Sequence, residues 1–411
     1  MAELPSPNDK RIAARLTADA LRQVRGGHPW VFDRGIESLS HEGAPGDLAV
    51  VFDRNRKFTA IGLFDPRSPI RIRIVHEGKP RTIDADHWAD RLAAATERRR
   101  PLLQRGDTSG YRLVHGENDG FGGLVVDRYD ATLVAKLYSE AWLPHLADIV
   151  PLLAAQPDVD RVVLRVNRQL AQLATGQRLD RLTVVGDPPT EPVLFTELGL
   201  TFQADVLEGQ KTGHFLDQRE NRAAVAAQAT GRRVLDVFSC TGGFAVHAAA
   251  AGAALVHVVD QSEPALATAR VNFDLNIDRT GSTTWRATAG DAFEVMAGLI
   301  QAGDRYDIVV IDPPSFASRQ DRIEAARASY RRLTRLGLDL LVPGGLLVQA
   351  SCSSRVTAET FFADIDRELA SHPVAVESIE QTGHAIDHPI SFPEGAYLKA
   401  AFVRTAYPGP V

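Results

Sequence analysis

The chain has 411 residues, of which 44% are hydrophobic and 24% are charged, and its formal net charge is -6. This composition is typical of a globular protein with two or three domains, and the charge does not by itself indicate a nucleic-acid partner. The sequence has no run of 18 apolar residues and no signal-peptide core, so we expect no membrane association. Two cysteines in so long a chain fit a reducing compartment, and we expect a cytoplasmic protein.

The first 80 residues predict a small module of short β-strands. Strands are predicted within 43–52 and over 58–64, and residues 70–74 alternate isoleucine with arginine, which predicts one apolar and one basic face. The preceding segment 25–32, RGGHPWVF, carries arginine, histidine and tryptophan. These groups could contact a phosphate backbone and stack on a base. The same pattern also fits a sheet face that is exposed to solvent.

The next hundred or so residues predict a small domain that mixes helix and strand. Its predicted elements are a helix over 86–105 interrupted at Pro101, paired strands over 124–128 and 131–137, a helix over 141–153 and a strand over 161–166. A proline pair at 188–189 marks a linker, and residues 194–204 alternate as a β-hairpin. The polar loop 209–222 follows and directly precedes the helix that leads into the central strand. Because this loop has little to bury, we expect it to bind a ligand.

The rest of the chain is organised around residues 233–260. The apolar run 234–238 predicts a buried parallel strand, which is followed by a glycine-containing turn and an alanine-rich helix over 244–251. A second strand over 255–259 ends in Asp260. Strand, turn, helix and strand with an acid at the tip is the arrangement that binds nucleotide cofactors, because the carboxylate accepts from the ribose hydroxyls.

The turn itself favours S-adenosylmethionine over a dinucleotide. It lacks the G-x-G-x-x-G fingerprint and contains only the pair Gly242 and Gly243. Asp236, inside the first strand, would repel a pyrophosphate. The same carboxylate suits the ammonium and sulfonium groups of S-adenosylmethionine.

Three later strands are each predicted to end in a polar residue at the same edge of the sheet. The strand over 285–289 leads to Asp291, which could accept from an adenine amine, and the strand over 308–311 leads to Asp312. Two prolines after Asp312 fix a rigid turn at the edge where open α/β sheets bind ligands. The strand over 346–350 leads to Cys352, which adds a thiol to the same crevice.

In its ordered motifs the chain resembles the bacterial S-adenosylmethionine-dependent 23S rRNA cytosine-5 methyltransferases of the rRNA large subunit methyltransferase I type. The motifs are HPWVF (28–32), YRLVHGENDG (111–120), KTGHFLDQRENR (211–222), FSCTGGFAV (238–246), DPPSF (312–316), SCS (351–353) and DHPISFPEGAYLK (387–399). The resemblance implies an α/β protein whose partner is RNA, 23S rRNA or a ribosomal assembly intermediate. It implies three domains: a PUA-like β-barrel that binds RNA over 1–80, a small α+β (EEHEE-like) domain over 81–188 and a Rossmann-like class I methyltransferase domain over 189–411.

The resemblance also implies the residues of the site. Cys352 would be the nucleophile toward the base, and Asp312 would hold the base. The residues expected to bind S-adenosyl-L-methionine are Phe215, Asp217, Arg219, Asp236, Phe238, Thr241, Gly242, Gly243, Asp260, Asp291 and Asp312. No metal is expected. The chain departs from the family pattern at Ser315, where lysine is usual, and at Cys240, where an aromatic residue is frequent.

Two alternative functions stay open. An amino-methyltransferase that acts on an exocyclic nitrogen would use Asp-Pro-Pro followed by an aromatic residue, whereas Ser315 stands there and Phe316 comes one place later. A non-catalytic RNA-binding protein could retain the same fold. The intact acids Asp260, Asp291 and Asp312 argue against such a loss of cofactor binding.

Overall fold

The computed structural model describes residues 8–317 and 319–407. The chain forms two compact units. The first unit contains the residues up to Gly199 together with Ala204–Leu216 and Ile386–Gly395. The second unit contains Leu200–Gln203, Asp217–Ala385 and the residues from Ala396 onward.

The N-terminal part of the first unit is a sheet with the strand order β2-β6-β5-β4-β1-β3. Its elements are β1 (Ile12–Leu16), α1 (Ala18–Arg25), β2 (Trp30–Phe32), β3 (Ile36–Leu39), β4 (Leu48–Phe52), β5 (Phe58–Phe64) and β6 (Ile70–Glu77). Strand β1 runs parallel to β4, and the other pairs are antiparallel. The predicted strands near 43–52, 58–64 and 70–74 are thus confirmed as β4, β5 and β6.

The middle part of the first unit is a sheet with the order β11-β10-β9-β8-β7, covered by helices. Its elements are α2 (Ala85–Arg98), α3 (Arg100–Leu103), β7 (Gly110–His115), β8 (Leu124–Tyr129), β9 (Thr132–Leu137), α4 (Leu146–Ala154), β10 (Arg161–Val166), α5 (Ala174–Leu179) and β11 (Leu182–Val185). The helix predicted over 86–105 is in fact two helices, because Pro101 stands in the first turn of α3. One apolar cluster joins both sheets: Leu63 and Val75 of the first belong with Trp88, Phe121 and Trp142 of the second.

The basic face predicted for residues 70–74 is not free for a partner. Arg73 is only 6% exposed, and its Nη1 donates to Oε1 of Glu117 at 3.0 Å. The indole N–H of Trp30 donates to the same carboxylate oxygen at 2.8 Å, and its ring packs edge-on against Phe392. The interpretation of this face as an open phosphate-binding surface is therefore wrong at Arg73, because that side chain is buried in an ion pair with Glu117 of the same unit.

A buried charge pair fixes the segment Ile386–Gly395 within the first unit. Arg99 and Asp119 are both inaccessible to solvent at their side chains and form two hydrogen bonds, of 2.7 and 2.9 Å. Arg99 Nη2 also donates to the carbonyl of Asp387 at 2.7 Å, and the Asp387 carboxylate accepts from the backbone N–H of Arg112 at 2.7 Å. The motifs at 111–120 and 387–399 thus serve, in part, to hold this segment.

Strand β12 (Val193–Glu197) belongs to the first unit, and all but the last residue of β13 (Leu200–Ala204) belongs to the second. The second unit has the strand order β16-β15-β14-β17-β18-β20-β19. Its remaining elements are α6 (Arg219–Ala226), β14 (Arg233–Val237), α7 (Gly243–Ala250), β15 (Leu255–Asp260), α8 (Glu263–Asp274), α9 (Ile277–Thr280), β16 (Thr284–Ala289), α10 (Ala292–Gln301), β17 (Tyr306–Ile311), α11 (Ile323–Asp339), β18 (Leu341–Ser351), α12 (Ala358–Ser371), β19 (Val376–Thr382) and β20 (Lys399–Thr405).

Strands β14 to β18 are parallel, whereas β20 is antiparallel to both β18 and β19. The carboxyl ends of β14 to β18 therefore meet at one edge, and the predicted polar residues follow those ends. Their cores are apolar: Leu235, Val259, Val309 and Leu347 are buried between the strands and helices. Strand β18 begins five residues earlier than the strand predicted over 346–350. Among the described residues, no helix is long and apolar enough to cross a membrane.

Candidate active site

The turn after β14 has a backbone that ordinary residues adopt only under constraint. Phe238, Cys240 and Gly242 have φ angles of 61°, 48° and 77°. A Cβ atom on Gly242 would lie 2.8 Å from Cβ of Ala269, and one on Gly243 would lie 2.5 Å from Nε of Arg222. Gly242 is therefore required by its positive φ and by the protein's own packing, whereas a side chain at position 243 would have to displace the guanidinium of Arg222.

Asp236 is a buried acid, and only one of its two carboxylate oxygens accepts a hydrogen bond among the described residues. Its Oδ2 accepts from the backbone N–H of Ala245 at 3.1 Å, whereas Oδ1 is buried with no hydrogen-bond partner among the described residues. The pKa of Asp236 is raised to about 7, mainly by burial and also by the nearby negative charges of Asp312 and Asp260, against the bond from Ala245 and the charge of Arg222. A cation beside Oδ1 would satisfy this oxygen and favour the ionised form.

Asp260, at the end of β15, is hydrogen-bonded to the turn that follows β14. Its Oδ2 accepts from the backbone N–H of Cys240 at 3.0 Å, and its Oδ1 accepts from that of Ser262 at 2.9 Å. The carboxylate is partly exposed, so each oxygen keeps a lone pair for a hydroxyl. Burial, followed by the charge of Asp260, raises the pKa of the Cys240 thiol to about 11, which keeps that thiol protonated.

Two further predicted residues are Asp291, which follows β16, and Thr241, which is part of the turn. Asp291 is exposed and caps α10, where its Oδ1 accepts from the backbone N–H groups of Phe293 at 3.0 Å and Glu294 at 3.2 Å. The carbonyl of Thr241 accepts from Nδ2 of the buried Asn272 at 2.9 Å. Sequence reasoning missed Asn272, because an asparagine in the middle of a predicted helix gives no signal of its contact with a distant turn.

Asp312 follows β17 directly and lies next to the strand that carries the turn. Its backbone N–H donates to the carbonyl of Val237 at 3.3 Å. A row of aromatic rings follows from there: Phe238 and Phe316 have ring centroids 6.3 Å apart, and Phe316 and Tyr330 have centroids 5.3 Å apart. These rings form an apolar wall beside the acid.

Cys352 follows β18, the strand adjacent to β17. The strands pair in parallel, with Ile311 opposite Gln349, so Asp312 and Cys352 come from neighbouring strand ends. Cys352 is a partly exposed cysteine that is not in a disulfide. The pKa of the buried Tyr330 is raised by burial and then, against a hydrogen bond from Ser351, by the negative charges of both Cys352 and Asp312. The hydroxyl of Tyr330 accepts from Oγ of Ser351, the residue before Cys352, at 2.8 Å.

The polar loop 209–222 is divided between the two units. Phe215 belongs to the first unit, where the ammonium of Lys211 lies 4.2 Å from the centre of its ring. Asp217 and Arg219 belong to the second unit and are buried. Asp217 Oδ2 accepts from the hydroxyl of Tyr397 at 2.8 Å.

The motif DHPISFPEGAYLK (387–399) contains two residues, Tyr397 and Lys399, to which the sequence analysis assigned no role. Tyr397 fixes Asp217, as described above. Lys399 is 3% exposed, and its ammonium donates to backbone carbonyls in the loop that carries Cys352. Only their place in the motif could have indicated either residue, since both act through contacts with segments far away in the chain.

Comparisons with known proteins agree with this geometry. The sequence profile of S-adenosylmethionine-dependent methyltransferases matches residues 178–404, and that of PUA-like domains matches residues 14–77. A solved chain assigned as a methyltransferase, in complex with SAH, matches with a TM-score of 0.81 at 20% identity and covers 95% of this chain and 99% of its own. That likeness supports the fold.

Two curated relatives are similar over nearly their whole lengths. A Ribosomal RNA large subunit methyltransferase from Deinococcus radiodurans is 44% identical, with 97% of this chain and 99% of the relative covered. A Ribosomal RNA large subunit methyltransferase I from Aeromonas salmonicida is 34% identical, with 92% and 95% covered. Fold and profile define an S-adenosylmethionine-dependent methyltransferase with an N-terminal PUA-like domain. The chain belongs to the ribosomal RNA large subunit methyltransferase family.

Proposed function

We propose that this protein methylates carbon 5 of a cytosine in the RNA of the large ribosomal subunit, through a covalent adduct on Cys352. The observation that carries the proposal is the presence of a cysteine and an acid at the ends of adjacent parallel strands. Cys352 and Asp312 follow the parallel neighbours β18 and β17, and the hydroxyl of Tyr330 is influenced by both. An enzyme that methylates an exocyclic amine would need no thiol at this place, because the amine already has a lone pair.

The residues around the turn after β14 fit S-adenosylmethionine, which supplies an electrophilic methyl group on a sulfonium when it is bound. The unpartnered Oδ1 of Asp236 would accept from the ammonium of the amino-acid end. Asp260 would accept from the ribose hydroxyls, and Asp291 from the adenine amine. The turn itself would line the cofactor site with Phe238, Thr241, Gly242 and Gly243. Phe215, Asp217 and Arg219 would contribute from the polar loop.

Cytosine carbon 5 is a poor nucleophile, and the protein must raise its electron density. The Cys352 thiolate would add to carbon 6, which places an enamine carbon at position 5. Asp312 would hold the ring-nitrogen and amine edge of the base while charge develops there. After methyl transfer, loss of the proton from carbon 5 and departure of the Cys352 sulfur from carbon 6 would restore the aromatic base. Ser315 stands where some cytosine-5 enzymes have a second cysteine, so another group or water would take the proton.

The relatives named as ribosomal RNA methyltransferases support RNA as the substrate. Because bacterial ribosomes are assembled in the cytoplasm, we propose that the protein acts there. We place the RNA-binding PUA-like domain at residues 1–80, the α+β domain at 81–188 and the methyltransferase domain at 189–411. A base must leave its stack to reach a crevice of this kind, so we expect the target to be flipped out or single-stranded.

Mass mapping of rRNA from a strain that lacks the gene tests the proposal. We expect one cytosine to lose a methyl group and to regain it when the gene is restored. A methyl group lost instead from adenine or guanine would favour the exocyclic-amine alternative. An unchanged map would favour a protein that binds RNA without modifying it.

A further inference from the structure

Lys399 is a buried cation held against the loop that carries Cys352. It is the cross-strand partner of Ser351 in the β18–β20 pair and is 3% exposed. Its Nζ donates to the carbonyl of Ser353, to that of Val356 at 2.5 Å and to that of Tyr397 at 3.2 Å. The ammonium is therefore hydrogen-bonded to the carbonyl of the residue that follows Cys352.

These contacts leave the charge of Lys399 without a matching anion. Three neutral carbonyls accept its three protons, and no carboxylate forms an ion pair with it within residues 8–317 and 319–407. Burying a lysine in this way is costly unless an anion is close for at least part of the time. Burial lowers the pKa of Lys399 to about 8, and the charge of Cys352 acts in the opposite direction, to raise it.

The influence of two charges on each other is reciprocal. If an anionic Cys352 favours the ammonium form of Lys399, then the ammonium favours the thiolate of Cys352 by the same amount. The other titratable groups at this place are Tyr330 from α11, which is buried and neutral, and Asp312 after β17, whose charge would disfavour a thiolate. Arg355, on the same loop, is exposed to solvent. Lys399 is thus the buried cation in position to favour the thiolate.

We propose that Lys399 is a positioning residue for Cys352: its ammonium holds the loop after β18 and stabilises the thiolate electrostatically. This inference rests on the proposed function of Cys352 as nucleophile. Lys399 need not touch the base, because it acts through the sulfur. The thiol proton passes to water when the thiolate forms, and no other bond is made or broken in this step.

The pH dependence of thiol alkylation tests the inference in the full-length protein, without RNA or S-adenosylmethionine. Iodoacetamide reacts with thiolates, and mass spectrometry of the peptides reads Cys352 and Cys240 separately. In the wild type we expect Cys352 to titrate below the value of about 8.5 for a free cysteine. In Lys399→Met we expect this pKa to rise by about one unit, so that roughly tenfold less thiolate is present at neutral pH.

Two controls separate charge from structure. Lys399→Arg keeps the positive charge and should leave the Cys352 profile closer to the wild type than Lys399→Met does. Cys240, whose own pKa is raised to about 11 by burial, should react equally slowly in all three proteins. A residue that only held the loop in place would lower thermal stability when replaced without moving the titration of Cys352.

Two outcomes would overturn the inference: a wild-type Cys352 that titrates at or above about 8.5, or a Cys352 profile unchanged in Lys399→Met. If Lys399→Met does not fold, the pH dependence of Cys352 alkylation in the wild type is enough to test the inference. The outcome is independent of the proposed function. A shifted thiol in an enzyme that forms no adduct with RNA would contradict the proposed function alone, and an adduct that forms with an unshifted thiol would contradict the role of Lys399 alone.

Discussion

Asp260 and Cys240 are joined across the cofactor turn: the carboxylate at the tip of β15 accepts from the backbone N–H of Cys240 at 3.0 Å. This bond helps to hold the turn between β14 and α7 in place. The same carboxylate is the group that we expect to accept from a ribose. One side chain thus both shapes the turn and would contact the ligand.

Replacing Asp260 by alanine should weaken binding of S-adenosylmethionine. The loss should be roughly 1.5–3 kcal/mol, the range for a hydrogen bond to a charged group. Isothermal titration calorimetry measures it directly. Asp274→Ala, which removes an exposed acid paired with Arg270 on α8, is the matched control and should bind normally. Wild-type affinity in Asp260→Ala would refute the assignment.

Binding of S-adenosylmethionine should become tighter as the pH rises toward 7. Because the pKa of Asp236 is raised to about 7, mainly by burial, the free protein holds a proton there at lower pH. An ammonium prefers the ionised carboxylate, so binding below this pKa must release that proton. The association constant should then rise by at most about tenfold per pH unit. Asp236→Asn should bind more weakly and lose the slope, whereas an equal slope in that variant would implicate another group.

RNA affinity should depend on exposed arginines of the N-terminal sheet and not on Arg73. Arg11 and Arg15 are exposed and form no ion pair within the part of the chain that the structure describes. If they contact phosphates, their double replacement by alanine should weaken RNA binding and lower the slope of log affinity against log salt by about two. The control is Arg286→Ala/Arg305→Ala, which removes the same charge from the second unit. Equal salt slopes in both variants would exclude Arg11 and Arg15 as phosphate contacts.

The pair Arg99–Asp119 should be essential for the stability of the first unit. Asp119→Ala leaves a fully buried guanidinium without its carboxylate, which typically costs about 3–5 kcal/mol of the free energy of unfolding. Asp90→Ala removes an exposed partner of Arg81 instead and should cost less than about 1 kcal/mol. Thermal and urea unfolding compare the two. Similar losses in both variants would show that the buried pair is not a special source of stability.

The sequence was most informative where the fold repeats a simple rule. Apolar runs that end in polar residues predicted β14, β15, β17 and the later part of β18, because parallel strands are buried on both faces and their carboxyl ends meet at one edge. The turn after β14 was predicted from the glycine pair that separates this strand from the helix after it. These local patterns brought Asp236, Asp260, Asp312 and Cys352 to one edge of the sheet.

The contacts that the sequence could not indicate join segments far apart in the chain. Alternation along 70–74 predicted a strand correctly, but it could not tell that Glu117 would neutralise Arg73. Lys399 stood in the sequence only as the last residue of the motif 387–399, and its proposed role depends on the carbonyl groups of a loop about 45 residues earlier. Burial of charge is decided by such tertiary partners, which periodicity does not report.

The most direct test of the account is to trap the enzyme on RNA that contains 5-fluorocytidine. Fluorine cannot leave carbon 5 as a proton does, so the bond between the base and the nucleophile should persist after methyl transfer. We predict a covalent protein–RNA complex in the wild type, none in Cys352→Ala, and a cross-linked peptide that contains Cys352. A Cys352→Ala protein that still methylates cytosine, or an adduct on Cys240, would contradict the mechanism.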